Sequence, residues 1–154
     1  MCIFTLVGTR AIGEDQLQEM TGCVCFTLRR TTRALTQVYD RALRPYKIRA
    51  TQLPILLAAR GVTPVPLGAV AKGLGMERTT LLRNVRPLVR RGLIELSTAD
   101  DSRRTTLKTT ATGRTLLTRA YPAWKSVQTQ VLERVGQTGW SRAAGALAEA
   151  TRDT

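Results

Sequence analysis

The spacing of apolar residues predicts a mainly helical chain. From Leu17 to Ala42 an apolar residue recurs every three or four positions, which is the period of an α-helix with one buried side. We therefore expect a first helix over residues 15–43. Gly22 is a weak point within this helix, and Pro45, which cannot donate a backbone hydrogen bond, ends it.

The same period continues after residue 50. It predicts five further helices, over residues 51–60, 66–74, 77–91, 112–135 and 141–152. Thr51 is the expected N-cap of the first of these helices, and Gly61 is its expected stop signal. Gly136 and Gly139 are expected to separate the last two helices.

Two short segments interrupt the helical pattern. Residues 93–96 and 104–109 flank the polar turn 98–103, and this arrangement predicts a β-hairpin. A short helix, a turn at Gly75 and a longer helix precede the hairpin, which is the order of a winged helix-turn-helix. The expected fold is mainly α with a small β-hairpin wing. The expected organisation is an N-terminal extension over 1–13 and a single domain over 14–154, with a winged helix-turn-helix over 50–110 and an α-helical dimerisation lobe from helices in 15–45 and 112–152.

The charge of the chain points to an anionic partner. The formal net charge is +13 over 154 residues, which attracts nucleic acid or an anionic membrane surface. The chain contains no histidine, which excludes Ser-His-Asp and Cys-His catalytic systems and zinc sites that need imidazole. We therefore expect a binding protein with no catalytic residue, no metal and no cofactor, rather than an enzyme.

The cysteine count bears on the cellular location. Cys2, Cys23 and Cys25 are an odd number, and no secretory signal accompanies them, so they do not predict a disulfide framework. The apolar stretch 2–7 lacks a basic start and is too short to cross a bilayer. We expect a cytoplasmic protein without a membrane partner.

The predicted helix over 77–91 has the features of a DNA recognition helix. Its apolar residues Leu81, Val85 and Leu88 recur on one face, which should pack against the rest of the domain. Its hydroxyls and guanidinium groups match the donors and acceptors of base edges in the major groove. The side chains on or beside the opposite face are those of Arg78, Thr79, Thr80, Arg83, Arg86 and Arg90.

The tip of the predicted hairpin supplies a second candidate DNA contact. Arg103 and Arg104 would reach phosphates or the adjacent minor groove, whose negative potential favours arginine. Asp101 would hold the guanidinium group of Arg103 in a bidentate pair. Residues 78–104 hold seven arginines against three carboxylates, so this part of the chain is itself basic.

A second basic cluster lies earlier in the chain. Residues 29–49 hold seven lysines and arginines against the single carboxylate of Asp40. This cluster either lines a crevice that accepts an anion or forms a polar edge of the dimer. The sequence leaves both interpretations open.

The chain resembles the MarR family of bacterial transcription regulators. The resemblance covers about residues 20–150 and is carried by the element order and by the strings RATQLPIL, LGMERTTLLRNVRPLVRRGLI and DDSRRTTLKTTATG. Asp101 and Arg103, followed by Thr110 and Gly113, match the family's wing signature. The resemblance implies a homodimer formed by the first and last helices, a palindromic operator in double-stranded DNA, and release of DNA under the control of an effector.

The resemblance also carries individual roles to this sequence. It implies DNA contacts for Thr79, Thr80 and Arg83 on the recognition helix and for Arg103 in the wing. Pro87 is a departure from the family pattern. Because a proline inside a helix removes one backbone bond and usually bends the helix, it is expected to reorient the second half of the recognition helix.

Cys23 and Cys25 are candidate redox-sensing residues. Cys25 and Tyr39, fourteen residues apart, resemble the cysteine and one tyrosine of the peroxide-sensing branch of the family, although Arg29 and Ala50 stand where that branch has further tyrosines. In a continuous helix two such cysteines point to nearly opposite sides, so a disulfide between them would unwind the helix start. The alternatives are two small buried apolar side chains and a metal site with two cysteine ligands.

The function predicted from these patterns is sequence-specific transcription regulation. We expect a repressor that is released from DNA by thiol oxidation or by a small-molecule effector. The alternative is a constitutive architectural DNA-binding protein without an effector. A pocket between the helical lobe and the winged lobe would favour the regulator.

Overall fold

The computed structural model describes residues 12–98 and 105–152. In chain order, the helices are α1 (Glu14–Thr21), α2 (Val24–Leu43), a 3-10 turn (Arg44–Tyr46), α3 (Leu53–Ala58), α4 (Leu67–Gly73), α5 (Arg78–Arg90), α6 (Ala111–Val135) and α7 (Gln137–Ala150). The strands are β1 (Val65–Pro66), β2 (Ile94–Thr98) and β3 (Thr105–Thr109). This confirms the expected class, a mainly α fold with a small β-hairpin.

The sheet contains one strand more than the sequence predicts. Its order is β1-β3-β2, and both pairings are antiparallel. The hairpin register runs from Ile94 opposite Thr109 to Thr98 opposite Thr105. β1 has only two residues, so it is too short to show an alternating pattern, and it pairs through Val65 opposite Leu107. The edge of the sheet is thereby joined to the start of α4.

The chain divides into two compact units, with the boundary after Leu35 inside α2. In the first unit, the prediction of one continuous helix is wrong, because α1 ends at Gly22. Its amide donates to the carbonyl of Glu19 at 3.0 Å, and the amide of Cys23 donates to that of Met20 at 3.2 Å. These tighter bonds replace the α-helical pattern, and glycine's low helix propensity favours the break.

The second unit contains the core. Its apolar side chains come from α2 to α6 and the sheet, and burying each one stabilises the fold by about 1.5–3 kcal/mol. The fully buried apolar side chains include Leu43, Ile55, Leu56, Leu67, Leu81, Val85, Leu88, Ile94 and Leu107. The helix-turn-helix and the hairpin therefore share one hydrophobic core.

The Thr110-x-x-Gly113 motif joins the hairpin to α6. Thr110 is the N-cap of α6, and its hydroxyl accepts from the amide of Gly113 at 3.0 Å and donates to the carbonyl of Gly92 at 2.6 Å. A β-carbon added at Gly113 would lie 2.3 Å from the carbonyl oxygen of Leu93. The motif therefore combines a helix cap with a position where only glycine has room.

The predicted ends of two helices are wrong. α3 begins at Leu53 with Gln52 as its N-cap residue, so Thr51 does not cap it. α3 also ends at Ala58, before Gly61, because its last carbonyls bind β3: the amide and hydroxyl of Thr109 donate to Ala59 and Leu56, each at 2.8 Å.

The second wrong prediction concerns the first residue of α7. This helix begins at Gln137, not at residue 141, because the break falls at Gly136, whose φ is 80°. Gly139 lies inside the helix.

No helix within residues 12–98 and 105–152 is both long enough and apolar enough to cross a membrane.

Candidate nucleic-acid interface

A tight turn sets the positions of α4 and α5. Four residues, 74–77, join the two helices, and Gly75 has a φ of 59°, a left-handed conformation that favours glycine. The amide of Met76 donates to the carbonyl of Ala71 at 2.9 Å, which closes the end of α4. The turn gives the two helices the arrangement of a helix-turn-helix.

The two faces of α5 match the sequence prediction. Leu81, Val85 and Leu88 are fully buried. The polar side chains on the opposite face are exposed: they are those of Thr79, Arg83, Arg86 and Arg90. Arg78 is also exposed, whereas Thr80 is half-buried. Because α5 contains four arginines and no acidic residue, its exposed face attracts phosphates and guanine edges.

Pro87 does not interrupt the recognition helix. α5 runs from Arg78 to Arg90 through Pro87. The proline cannot donate to the carbonyl of Arg83, so one intrahelical bond is missing at this point. The second half of α5 nevertheless stays helical, and Arg86 and Arg90 remain on the exposed side.

Arg91 supports the structure next to the recognition helix. Its guanidinium group donates to the carbonyl oxygens of Lys47 and Tyr46, the latter at 3.1 Å. Arg91 is one of the seven arginines within residues 78–104. The sequence does not predict its bonds to the main chain, because they join residues more than 40 positions apart.

The proposed tip of the wing lies outside the described residues. Asp101, Arg103 and Arg104 belong to the segment 99–104, which separates the two described strands. The last described pair of the hairpin is Thr98 opposite Thr105. The roles of these three residues therefore stay predictions.

An apolar cavity lies between α3 and α6. It has a volume of about 770 Å³, and its lining is mostly apolar: Leu53, Leu57, Val62, Leu117, Tyr121 and Trp124 contribute to it. The rings of Tyr121 and Trp124 are 5.9 Å apart between centroids. The structure thus places both aromatic side chains in the cavity wall.

Two arginines accompany the apolar lining of this cavity. Arg60 donates through Nη1 to the carbonyl of Leu57 at 2.7 Å, and Arg114 donates through Nη1 to that of Thr109 at 2.8 Å. Each guanidinium group has further donors beyond this one bond. No acidic residue is among the described lining residues. The cavity can therefore hold an apolar molecule that carries a negative charge.

The candidate redox residues occupy different local structures. Cys23 precedes α2, and its carbonyl accepts from the amide of Thr27 at 3.0 Å, whereas Cys25 lies in the first turn of α2. Both thiols are exposed and free. Neither cysteine is buried within the single chain, so the interpretation as two buried apolar residues finds no support there. Within the described part of the chain, no three His, Cys, Asp or Glu residues cluster as metal ligands would.

Tyr39 is held by α6. Its hydroxyl donates to Oε1 of Gln128 at 2.5 Å. Burial raises the pKa of this phenol above its ordinary value of 10.0. Tyr39, which together with Cys25 resembles the peroxide-sensing branch, thus has a hydrogen-bonding partner on α6.

Solved structures of transcription regulators resemble the chain. The regulator MosR of M. tuberculosis, solved in complex with DNA, is 36% identical, with 85% of this chain and 97% of that one covered and a TM-score of 0.74. A MarR-family regulator from Rhodococcus sp. RHA1 is 23% identical, with 87% and 95% covered and a TM-score of 0.70. CouR from Rhodococcus jostii RHA1, bound to p-coumaroyl-CoA, is 21% identical, with 84% and 92% covered and a TM-score of 0.72. Comparisons with family models and with curated proteins found no match.

Proposed function

The chain belongs to the MarR family of transcriptional regulators, and we propose that it binds an operator in double-stranded DNA through α5 and the β2–β3 hairpin. The exposed arginine face of α5 carries this proposal. Its opposite face is fixed in the core by Leu81, Val85 and Leu88, so the arginines project from a rigid support. The similar regulator MosR was solved with DNA, which supports the same partner here.

We propose that the protein acts as a homodimer on a palindromic operator. Large apolar side chains stay uncovered within the single chain: in the first unit Met20 is 63% and Phe26 is 58% exposed, and in α7 Trp140 is 49% exposed. This exposed apolar surface supports a contact with a partner. A second copy would cover it and would place two recognition helices at half-sites about 34 Å apart.

The individual DNA contacts remain as the sequence predicts them. Arg83 and its neighbours on α5 would contact base edges, and the wing would contact phosphates or the minor groove. The full proposed set is Arg78, Thr79, Thr80, Arg83, Arg86, Asp101, Arg103 and Arg104. The proposal includes no catalytic step.

The test is selection of an operator from random duplexes, followed by binding assays with two variants. Arg83→Ala is expected to lower affinity for the operator by about 1–3 kcal/mol more than for an unrelated duplex, because a guanidinium fork on guanine discriminates between bases. Arg103→Ala is expected to weaken binding to both duplexes by a similar factor. Equal losses for Arg83→Ala on both duplexes would contradict its contact with bases.

We propose that a small molecule controls the release of DNA. The cavity between α3 and α6 supports this part of the proposal, since its apolar walls and two arginines suit a hydrophobic anion. CouR, which has the same fold, was solved with an acyl-CoA. The alternative, a constitutive architectural protein, has no use for such a cavity.

The cavity can be tested with a fluorescent hydrophobic anion, anilinonaphthalene sulfonate. We expect it to bind the parent protein and to bind the Leu117→Trp variant poorly, because the larger side chain occupies part of the cavity. Arg142→Gln on α7, outside the lining, is the matched control and should bind like the parent. Equal binding to all three proteins would place the probe elsewhere on the surface.

A further inference from the structure

The basic segment before α3 runs beside the recognition helix. At one end, the guanidinium group of Arg91 binds the carbonyls of Tyr46 and Lys47. At the other end, Oγ1 of Thr51 lies 3.5 Å from Oδ1 of Asn84. Because residues 84 and 91 are about two helical turns apart, they share one side of the helix. Residues 46–51 therefore pass along that side of α5, in the direction opposite to the helix.

The main chain of this segment is held in place by its own hydrogen bonds. Lys47 has a left-handed conformation, with a φ of 55°, and its amide donates to the carbonyl of Arg44 at 2.9 Å. The amide of Ala50 donates to Oδ1 of Asp40 at 2.6 Å, and the amide of Arg49 donates to Oε1 of Gln52 at 3.0 Å. The basic side chains thus start from a fixed backbone.

The side chains of the segment form an exposed basic surface. Arg44, Lys47 and Arg49 are exposed and line a shallow crevice of about 640 Å³ together with Asp40 and Ile48. Asp40 is the sole acidic residue among the described lining residues, and one of its oxygens already accepts a hydrogen bond from Ala50. Three positively charged side chains therefore face solvent, and they share the crevice with one carboxylate, of which one oxygen already accepts a hydrogen bond.

We propose that Lys47 and Arg49 bind the phosphate backbone of DNA beside the groove that α5 enters. This inference rests on the proposed function. The major groove is about 12 Å wide, so a row of phosphates lies on each side of a helix that enters it. An element that runs along that helix therefore faces one of these two rows of phosphates. Phosphate contacts add affinity and fix the register without reading sequence. This surface extends the DNA contact to residues that precede the helix-turn-helix.

The test measures how the affinity of the full-length protein for DNA depends on salt. The variants are Lys47→Gln and Arg49→Gln, which keep the backbone bonds of the segment, and the control is Arg142→Gln, which removes one exposed positive charge from α7. Each protein is titrated with the selected operator and with an unrelated duplex of equal length, between 50 and 200 mM salt.

Affinity falls as salt rises, and loss of one phosphate contact makes the slope of log affinity against log salt less steep by about 0.9. The ratio of parent to variant affinity should therefore shrink roughly 3.5-fold between 50 and 200 mM salt, on both duplexes, with the preference for the operator unchanged. Arg142→Gln should keep the slope of the parent, and Arg49→Lys should restore it.

Three other outcomes are distinguishable. Unchanged slopes in both variants, with a parent that prefers the operator, would overturn this inference and leave the proposed function intact. A parent without any preference for the operator would overturn the proposed function instead. Weakened self-association in sedimentation, with unchanged slopes, would show that the segment is an edge of the dimer, which also overturns the inference.

Discussion

Replacing Gly113 with alanine tests the junction between the hairpin and α6. The added β-carbon would lie 2.3 Å from the carbonyl oxygen of Leu93 and 2.7 Å from Cγ2 of Thr109. The oxygen cannot turn away freely, because it accepts a hydrogen bond from the amide of Thr110 at 3.1 Å. The start of α6 must therefore move by about 1 Å to reach an ordinary C···O contact of about 3.3 Å.

The expected loss of stability is the balance of three effects. Overpacking in a dense region costs about 1–3 kcal/mol. Weakening the bond between Thr110 and Leu93 costs about 1 kcal/mol. Alanine in place of glycine in a helix returns about 0.5–1 kcal/mol. The sum is a loss of about 2 kcal/mol in the free energy of unfolding, which corresponds to a fall in Tm of roughly 4–8 °C for a chain of this size.

Urea and thermal unfolding followed by circular dichroism measure this loss. All proteins are compared at one concentration, because dissociation of a dimer makes Tm depend on concentration. Gly68→Ala on α4 is the matched control, since nothing lies within 4 Å of its added β-carbon, and we expect its stability to stay the same or to rise slightly. A free energy of unfolding for Gly113→Ala within about 0.5 kcal/mol of the parent, below the balance of these costs, would refute this explanation of the motif.

Two further variant sets test the phenol and the thiols. Tyr39→Phe should lower stability at pH 8 by about 1 kcal/mol, because Gln128 loses its partner. Since burial raises the pKa of Tyr39, its contribution is fully present below pH 10.0 and is lost as the pH rises through the folded value, so the gap between the variant and the parent should narrow in strong base. Peroxide is expected to join Cys23 to Cys25, with reduction of the peroxide to water, and to lower operator affinity in the parent. The variants Cys23→Ser and Cys25→Ser should resist this loss; if both lose binding as readily as the parent, the thiol switch is excluded. Mass spectrometry separates this disulfide from a sulfenic acid on Cys25 and from a bond to Cys2.

The winged helix-turn-helix could be predicted because its pattern is local. On α5 the buried residues recur every three or four positions, and the fully buried Leu81, Val85 and Leu88 are those that the period marks. The hairpin lies between Gly92, which follows the recognition helix, and Thr110, which caps α6, and both residues can be read directly from the sequence. Such features need no information about distant contacts.

The sequence-based predictions failed where competing local preferences, or contacts between residues that are distant in sequence, determine the structure. At Gly22 the apolar period continues across the break, so periodicity alone extends the helix. The two-residue strand β1 exists because Val65 meets Leu107, which is more than 40 residues away. Similarly, the cavity brings residues near 53–62 together with residues near 114–124. Spacing within one element carries no information about such pairs.

The thiol hypothesis changes with the broken first helix. The expected cost of a Cys23–Cys25 disulfide came from a regular helix that would have to unwind. Cys23 instead lies outside α2, so the disulfide would disturb only the first turn of that helix. The geometric reason for a large rearrangement is therefore weaker than the sequence suggests, and the cavity becomes the better supported site of control.

α3 is the element through which a ligand in the cavity could change DNA binding. Leu53 and Leu57 of α3 line the cavity, its last carbonyls bind Thr109 of the wing strand β3, and Thr51 before it meets Asn84 of α5. A displacement of α3 would thus reach both DNA-contacting elements. A ligand shifts an equilibrium only by its preference for one arrangement. A hundredfold loss of operator affinity therefore requires the ligand to bind the DNA-free arrangement at least about a hundredfold more tightly than the DNA-bound arrangement, a difference of about 2.8 kcal/mol. A ligand that binds both arrangements equally tightly would leave the operator occupied.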